Sequence, residues 1–247
     1  MKKALAIVLA VLAAATCFAG CGKSKEKQLV MGTNPQFPPY EFVDDNNNIV
    51  GIDAEIAKAL ADKLGMELTI KDMEFDSLIP AVKSGSIDVV LAGMTVTDER
   101  KESVNFSDSY ATGIQSIIVK DGSEITNADQ LKNAKKIGVQ TGTTGDTYCT
   151  EDFGKDKVNQ YANGSLAVAA LKNGQVDAVV IDNEPAKNYV KANTGLKILD
   201  TEYKVEYYAI AVSKDNQQLL DDINKALKEL TESGKIKEIV DKYITAE

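Results

Sequence analysis

Two stretches of the sequence resemble each other, and this internal repeat constrains the fold more than any other feature. Residues 81–91 and 170–180 each read as the end of a helix, a glycine, an aspartate and a buried strand. The glycines of the two stretches, Gly85 and Gly174, are 89 residues apart (174 minus 85). A repeat of this kind predicts two similar α/β lobes.

Strands and helices alternate along the first half of the chain, and the pattern restarts near residue 116. Apolar runs predict strands at 28–33 and 87–91. Two helices lie between them, and Asp53 and Asp76 are their predicted N-caps. The resulting βαβα order is typical of a parallel sheet with right-handed crossovers. The sequence therefore predicts an α/β fold.

The segment 93–101 follows a predicted strand and contains Arg100, which is the only arginine in the chain. A guanidinium presents a planar fork of donors that grips a carboxylate through two parallel bonds and stays charged. Arg100 stands behind a Gly-x-Thr turn with free backbone N–H groups, and ligands of open α/β sheets bind at the carboxyl ends of strands. This position favours a carboxylate clamp over the alternative, a surface arginine at the start of a helix.

By the register of the repeat, Asp182 matches Gly93, and both residues lie just past equivalent strands. If the two lobes face each other, Arg100 and Asp182 flank one cleft. A cation and an anion placed in this way suit a zwitterion, with Arg100 taking an α-carboxylate and Asp182 an α-ammonium. The alternative for Asp182 is a helix cap for residues 183–191.

The composition excludes several classes of function. The chain has 37 acidic and 28 basic residues, and the basic residues are spread out, so we predict no nucleic-acid partner. It contains no histidine, which removes the commonest general base and the commonest metal ligand. We therefore predict neither a metal site nor a cofactor.

The N-terminus is typical of an exported protein. A cationic start and about a dozen apolar residues predict a signal peptide at 1–20. The Ala-Gly-Cys at its end resembles a bacterial lipobox, although Phe18 replaces the usual leucine. Cys21 would then carry the acyl chains, palmitate included, and residues 21–27 would tether the protein to the outer face of the cell membrane. With Cys17 removed and Cys21 acylated, Cys149 has no partner. The alternative is a secreted protein with a chance cysteine.

Five motifs, taken in order, carry a family resemblance. Over nearly all of residues 28–245 the chain resembles the solute-binding lipoproteins of bacterial ABC importers, in particular the polar amino-acid group, solute-binding protein family 3. The motifs are Phe-Pro-Pro-Tyr-Glu-Phe at 37–42, Gly-Ile-Asp-Ala-Glu-Ile-Ala at 51–57, Phe-Asp-Ser-Leu-Ile-Pro-Ala at 75–81, Ala-Gly-Met-Thr-Val-Thr-Asp-Glu-Arg at 92–100 and Gly-Gln-Val-Asp-Ala-Val-Val-Ile-Asp at 174–182.

The resemblance implies a two-lobed periplasmic-binding-protein fold of type II, in which two doubly wound lobes are joined by a two-strand hinge near 115–119 and 205–209. Lobe 1 would contain 28–115 and 210–247, and lobe 2 would contain 116–209. It also implies a monomer without enzymatic activity that receives a free amino acid on the extracytoplasmic side. The implied protein partners are an ABC permease and its ATPase.

The resemblance also implies which residues would hold the main-chain end of an amino acid. Arg100 would clamp the carboxylate, and Asp182 would hold the ammonium. Further contacts to these two groups would come from both lobes. They are Ala92, Gly93, Thr95 and Thr144, and the predicted ligand-binding set also includes Gln140 and Thr143.

Three further positions would surround the ligand side chain. Phe37 would stack on it, backed by Ile52, where relatives usually have a second aromatic residue. Asn34 takes the place of an aspartate that often contacts the distal end of the side chain. Because an amide is neutral and both donates and accepts, Asn34 favours a polar uncharged ligand such as glutamine.

Other functions stay open at this level. A basic amino acid, arginine or lysine, could still find polar partners in Glu41, Glu74 and Gln140. From another class, some proteins of this fold are cyclohexadienyl or arogenate dehydratases, although we see no carboxylate pair with an evident acid and base role. A sensor module or an adhesin of the same fold is a third alternative.

Overall fold

Strands and helices alternate through the first half of the chain, as the sequence predicts. The computed structural model describes residues 27–200 and 203–244, so the predicted signal peptide and Cys21 lie outside it. Among the described residues, no helix is long and apolar enough to cross a membrane. In order, the elements are β1 (Gln28–Thr33), β2 (Gln36–Phe37), β3 (Glu41–Val43), β4 (Ile49–Val50), α1 (Ile52–Leu64), β5 (Glu67–Asp72), α2 (Phe75–Lys83), β6 (Val89–Val90) and α3 (Asp98–Ser103).

The second half repeats this alternation after one long strand. Two short 3₁₀ segments, Ala128–Asn133 and Lys155–Lys157, interrupt it. The remaining elements are β7 (Val104–Lys120), β8 (Ile137–Gln140), α4 (Thr144–Phe153), β9 (Val158–Tyr161), α5 (Gly164–Lys172), β10 (Ala178–Asp182), α6 (Asn183–Ala192), β11 (Leu196–Ile198), β12 (Lys204–Ser213), α7 (Gln217–Glu232) and α8 (Lys235–Tyr243).

The internal repeat corresponds to equivalent local structures in the two halves. Helix α2 leads through Gly85 to β6, and helix α5 leads through Gly174 to β10. Both glycines have a φ of +73°, in the left-handed region that side chains with a Cβ rarely adopt. The repeated glycine therefore serves the same tight exit from a helix in each half.

Strands β7 and β12 connect the two halves of one mixed sheet. Its order is β5-β1-β6-β12-β7-β10-β8-β9, with β11 added beside β7. The first part of β7 pairs antiparallel with β12, whereas residues 115–119 pair with β10. Because β7 belongs to both halves and β12 runs along it, these two strands join the lobes. The residue limits of each lobe stay a prediction.

Apolar packing fills each lobe. Ile117, Val139 and Val180 belong to a cluster in the second lobe, and Leu78 and Val90 to one in the first. Cys149 is fully buried in the former cluster and is the one free cysteine among the described residues. Burial raises the pKa of its thiol, so Cys149 stays protonated and packs as a small apolar side chain.

The two predicted helix caps are wrong. Helix α1 begins after Gly51, which places Asp53 inside the first turn with its carboxylate in the protein interior. Helix α2 begins after Glu74, and no side chain caps it, so Asp76 is an exposed first-turn residue. An aspartate in the first turn of a helix looks like an N-cap in the sequence, and only the residue at which the helix starts separates the two cases.

Candidate functional site

A cavity lies between the two lobes. The residues that line it come from both lobes. They are Asn34, Phe37, Glu41, Phe75, Ala92, Gly93, Thr95, Arg100, Gln140, Thr143, Thr144 and Asp182.

Most lining residues stand at the carboxyl ends of parallel strands. Asn34 follows β1, Ala92 follows β6, Gln140 ends β8 and Asp182 ends β10. Ligand sites in open α/β sheets occupy this edge because helix N-termini and strand-end loops meet there. All members of the predicted set except Ile52 line this one cavity. Their role in holding a ligand stays a prediction.

Arg100 lies in helix α3 and reaches across the cleft. Thr97 caps that helix, since its hydroxyl accepts a bond from the Arg100 backbone N–H at 3.1 Å. The guanidinium donates from Nη1 to the Thr95 carbonyl at 2.7 Å and from Nη2 to the Gly142 carbonyl of the other lobe at 3.1 Å. It lies 5.3 Å from the centre of the Phe75 ring. Arg100 therefore lines the cavity and keeps further N–H groups for a ligand. The alternative of a surface arginine is wrong.

Gly93 forms the floor of the cavity beside Phe37. Its φ is +54°, and a Cβ there would lie 2.9 Å from Cε1 of Phe37. The Gly93 N–H donates to Oδ2 of Asp53 at 2.8 Å. The prediction of a free N–H at this turn is therefore wrong for Gly93. Its N–H is already bonded to Asp53, the residue that the sequence predicted to be a helix cap. Because Gly93 has no Cβ, its backbone comes close to the Phe37 ring and offers it a flat surface.

The start of helix α4 forms the wall on the second lobe. Thr143 is its N-cap, accepting from the Asp146 N–H at 3.3 Å, and its hydroxyl donates to the Gln140 carbonyl at 2.8 Å. Thr144 is the first helical residue, so its N–H has no acceptor within the helix. An orphan N–H at a helix start favours an anion such as a carboxylate.

Asp182 is buried and is held by the two strands that join the lobes. It precedes helix α6 but makes no side-chain cap bond, so the cap alternative is wrong. Its carboxylate instead accepts from Gln115 Nε2 of β7 at 2.7 Å and from the hydroxyl of Tyr208 of β12. Burial, and then the nearby Glu206, raise the pKa of Asp182 to about 7.

Sequence reasoning missed the supporting residues on the joining strands. Gln115 Nε2 also donates to Glu206 at 3.1 Å, and the Thr95 hydroxyl donates to the same Glu206 oxygen at 3.0 Å. A glutamine within an apolar strand and a glutamate directly before two tyrosines were the available signals. These contacts link Asp182 to the first lobe through one network.

A second acid, Glu41, also lines the cavity. Only 1% of Glu41 is exposed, and its Oε2 receives no donor from the described part of the chain. In the same cavity wall, Gln140 Nε2 donates to Asn34 Oδ1 at 2.9 Å, and Asn34 Nδ2 donates to the Met73 carbonyl at 3.0 Å. Burial, and then the charge of Asp53, raise the pKa of Glu41 well above its ordinary value. The acid in the Phe-Pro-Pro-Tyr-Glu-Phe motif was the signal for it.

Ile52 stands apart from the other predicted site residues. It begins helix α1, is fully buried, and belongs to the large apolar cluster together with Ile56 and Leu60 rather than to the cavity wall. Phe75, which was not predicted, supplies the second aromatic surface of the cavity. Among the described residues no cluster of acids and cysteines could hold a metal ion.

Comparisons with known proteins point to one family. The model of the bacterial extracellular solute-binding proteins, family 3, matches residues 29–246. The chain is 39% identical to the arginine-binding extracellular protein ArtP of Bacillus subtilis, with 100% of both chains covered. It is 35% identical to the ABC transporter arginine-binding protein 1 of Escherichia coli, covering 98% of this chain and 99% of that one.

A solved structure shows the same fold. An ancestral arginine-binding protein bound to glutamine superposes with a TM-score of 0.85 at 45% identity, covering 90% of this chain and 99% of the other. A second structure, an ancestral arginine-binding protein bound to arginine, superposes with a TM-score of 0.83 at 46% identity, covering 89% of this chain and 99% of the other. The two-lobed type II fold is thereby confirmed.

The relatives are solute-binding transport proteins, so the dehydratase alternative is wrong and the chain is not an enzyme. The order of the five motifs, the two lobes and the cavity between them agree with this assignment. The chain belongs to the bacterial extracellular solute-binding proteins of family 3.

Proposed function

We propose that this protein binds a cationic amino acid, with arginine as the preferred ligand, and delivers it to an ABC permease on the extracytoplasmic side of the membrane. The observation that carries the proposal is the charge of the cavity wall. One cation, Arg100, and two acids, Asp182 and Glu41, line the cavity. Arginine carries the opposite set of charges: one carboxylate, an ammonium and a guanidinium.

This proposal replaces the preference for a glutamine-like ligand. That preference came from Asn34, but each half of the Asn34 amide already has a protein partner, Gln140 and Met73. Glutamine has no positive charge to pair with an ionised Glu41, whereas the guanidinium of arginine has one. Relatives named for arginine support the choice. The ancestral relative bound to glutamine indicates that a cavity of this kind also admits a neutral side chain.

Binding would close the two lobes on the ligand. The carboxylate of the ligand would meet Arg100 from the first lobe and the Thr144 N–H from the second, while its ammonium would meet Asp182. Because the partners come from both lobes, a ligand satisfies all of them only when the cleft is closed, which shifts the population toward that state. We take residues 28–115 with 210–247, and 116–209, as the two moving bodies.

Replacing Glu41 with glutamine should remove the preference of the cavity for cationic side chains over neutral ones. We expect Glu41→Gln to weaken arginine binding by about 10- to 100-fold, because a charge-assisted bond contributes about 1.5–3 kcal/mol. The affinity for citrulline, the neutral isostere of arginine, should fall little or rise. Isothermal calorimetry of refolded, ligand-stripped protein measures both. Equal losses for the two ligands would show that Glu41 does not face the ligand side chain.

We also propose that the mature chain begins at an acylated Cys21 and is held at the membrane as a monomer. The sequence signal supports this, and no described residue bears on it. Mass spectrometry of the N-terminal peptide from bacterial membranes should find Cys21 modified by two or three acyl chains. An unmodified Cys21 at a free N-terminus would contradict the anchor and leave the binding proposal intact.

A further inference from the structure

Glu41 and Asp53 are two buried carboxyl groups on adjoining segments, since the Asp53 N–H donates to the carbonyl of Tyr40 at 2.8 Å. Glu41 is 1% exposed and Asp53 is 0% exposed. Oδ2 of Asp53 accepts from the Gly93 N–H at 2.8 Å and from the Tyr110 hydroxyl at 2.7 Å. Oδ1 of Asp53 and Oε2 of Glu41 are both buried and receive no donor from the described residues. Two neighbouring buried acceptors are both satisfied when one carboxyl keeps a proton and donates it to the other.

In the part of the chain that the structure describes, no cation pairs with either carboxyl in place of this proton. The titratable groups that face Glu41 are the Asp182 carboxyl and the hydroxyls of Tyr40, Tyr110 and Tyr189, all acids. None of the ion pairs among the described residues involves Glu41 or Asp53. Arg100, the cation of the cavity wall, donates to two carbonyls instead.

The pKa directions agree with one shared proton. Burial raises the pKa of Glu41, and the Asp53 carboxylate raises it further. Burial raises the pKa of Asp53 to about 6, against the opposing effect of the bonds from Gly93, Tyr110 and Glu41. Protons on such a pair belong to both groups rather than to either one.

We propose that Asp53, which does not line the cavity, sets ligand selectivity as a positioning residue by sharing one proton with Glu41 that a cationic ligand side chain displaces to solvent. This inference rests on the proposed binding of a cationic amino acid. In the free protein the pair carries one negative charge, and with a guanidinium against Glu41 it carries two. The displaced proton passes to the buffer, and no other bond changes. A neutral side chain leaves the proton in place.

The consequence is a pH dependence that differs between two isosteric ligands. Because binding of the cation releases a proton, its association constant rises with pH. Asp182 also titrates near neutral pH, but its proton is released by the ammonium of any amino acid. That contribution is common to arginine and citrulline, so it cancels when the two ligands are compared.

The test is calorimetry of the full, ligand-stripped protein in two buffers of different ionisation enthalpy. At about pH 7 we expect arginine to release about one proton more than citrulline. From about pH 6 to about pH 8, the ratio of the two association constants should rise by up to about tenfold per pH unit. Equal proton release with intact arginine binding would overturn this inference alone. Failure of arginine to bind would overturn the proposed function as well.

Asp53→Asn separates the role of Asp53 from that of the cavity as a whole. The carbonyl oxygen of the asparagine can take the place of Asp53 Oδ2 and still accept from Gly93 and Tyr110. Its NH₂ group can donate to Glu41, which then ionises without a neighbouring charge. We expect the extra proton released by arginine to fall below about half a proton at pH 7. Asp88→Asn, at a carboxylate that accepts from the Val30 N–H away from the cavity, should leave it unchanged. If arginine still releases about one proton more than citrulline in Asp53→Asn, the role of Asp53 is overturned. If that variant does not fold, the comparison of the two ligands in the wild-type protein still tests the proposal.

Discussion

Arginine binding should weaken by about 30-fold or more when Arg100 is replaced by alanine. Removing one partner of a buried, hydrogen-bonded charge pair costs about 2–5 kcal/mol, because the other charge is left without a counter-ion. The guanidinium already donates to the carbonyls of Thr95 and Gly142. Its remaining N–H groups are available to a ligand carboxylate. Because the two carbonyls belong to different lobes, the loss of Arg100 also removes a bridge between the lobes.

Lysine at position 100 should restore only part of that affinity. An ammonium is a point charge without the planar fork, so it cannot bridge two carbonyls and grip a carboxylate in the same plane. Lys101→Ala is the matched control in the same helix, because Lys101 pairs with Asp98 at the surface, where such pairs contribute less than about 1 kcal/mol. Calorimetry with arginine measures all three variants. Wild-type affinity in Arg100→Lys would show that the clamp assignment is wrong.

Replacing Asp182 with alanine should weaken the binding of every amino acid by about 100-fold or more, whatever its side chain. The α-ammonium is common to all of them, and it would lose its counter-ion in a buried site. This separates Asp182 from Glu41, whose replacement should discriminate between cationic and neutral ligands. Asp177→Ala is the control in the same lobe, because the Asp177 carboxylate accepts from the backbone N–H groups of Lys135 and Lys136, outside the cavity.

The pKa of Asp182 gives this prediction a second readout. A carboxyl must be ionised to hold an ammonium, and burial together with Glu206 raises the pKa of Asp182 to about 7. Citrulline affinity should therefore fall as the pH drops below about 7 and level off above it. Loss of affinity in Asp182→Ala for arginine but not for citrulline would contradict the assigned role.

The parts of this fold that follow from local patterns were predictable. The repeat around Gly85 and Gly174 predicts two lobes, because a tight helix exit needs glycine in both places. The strand ends then place Arg100 and Asp182 near one cleft. Local pattern and tertiary structure agree here because strand ends and helix starts are set by neighbouring residues.

The parts that depend on burial were not predictable from pattern alone. Asp53 looks like a helix cap, yet the fold turns its carboxylate inward to Gly93 and Tyr110, residues distant along the chain. Glu41 was only one of three possible polar partners in the sequence, and the packing of the fold is what buries it. Gln115 gains its role only because β7 brings it against Asp182. Contacts of this kind are set by pairing between distant segments.

A crystal structure of the protein with bound L-arginine tests the central claim most directly. We expect the ligand carboxylate within hydrogen-bonding distance of the Arg100 guanidinium, its ammonium against Asp182, and its guanidinium beside Glu41. Arginine bound in the reverse orientation, or at a site that none of these three side chains touches, would contradict the account.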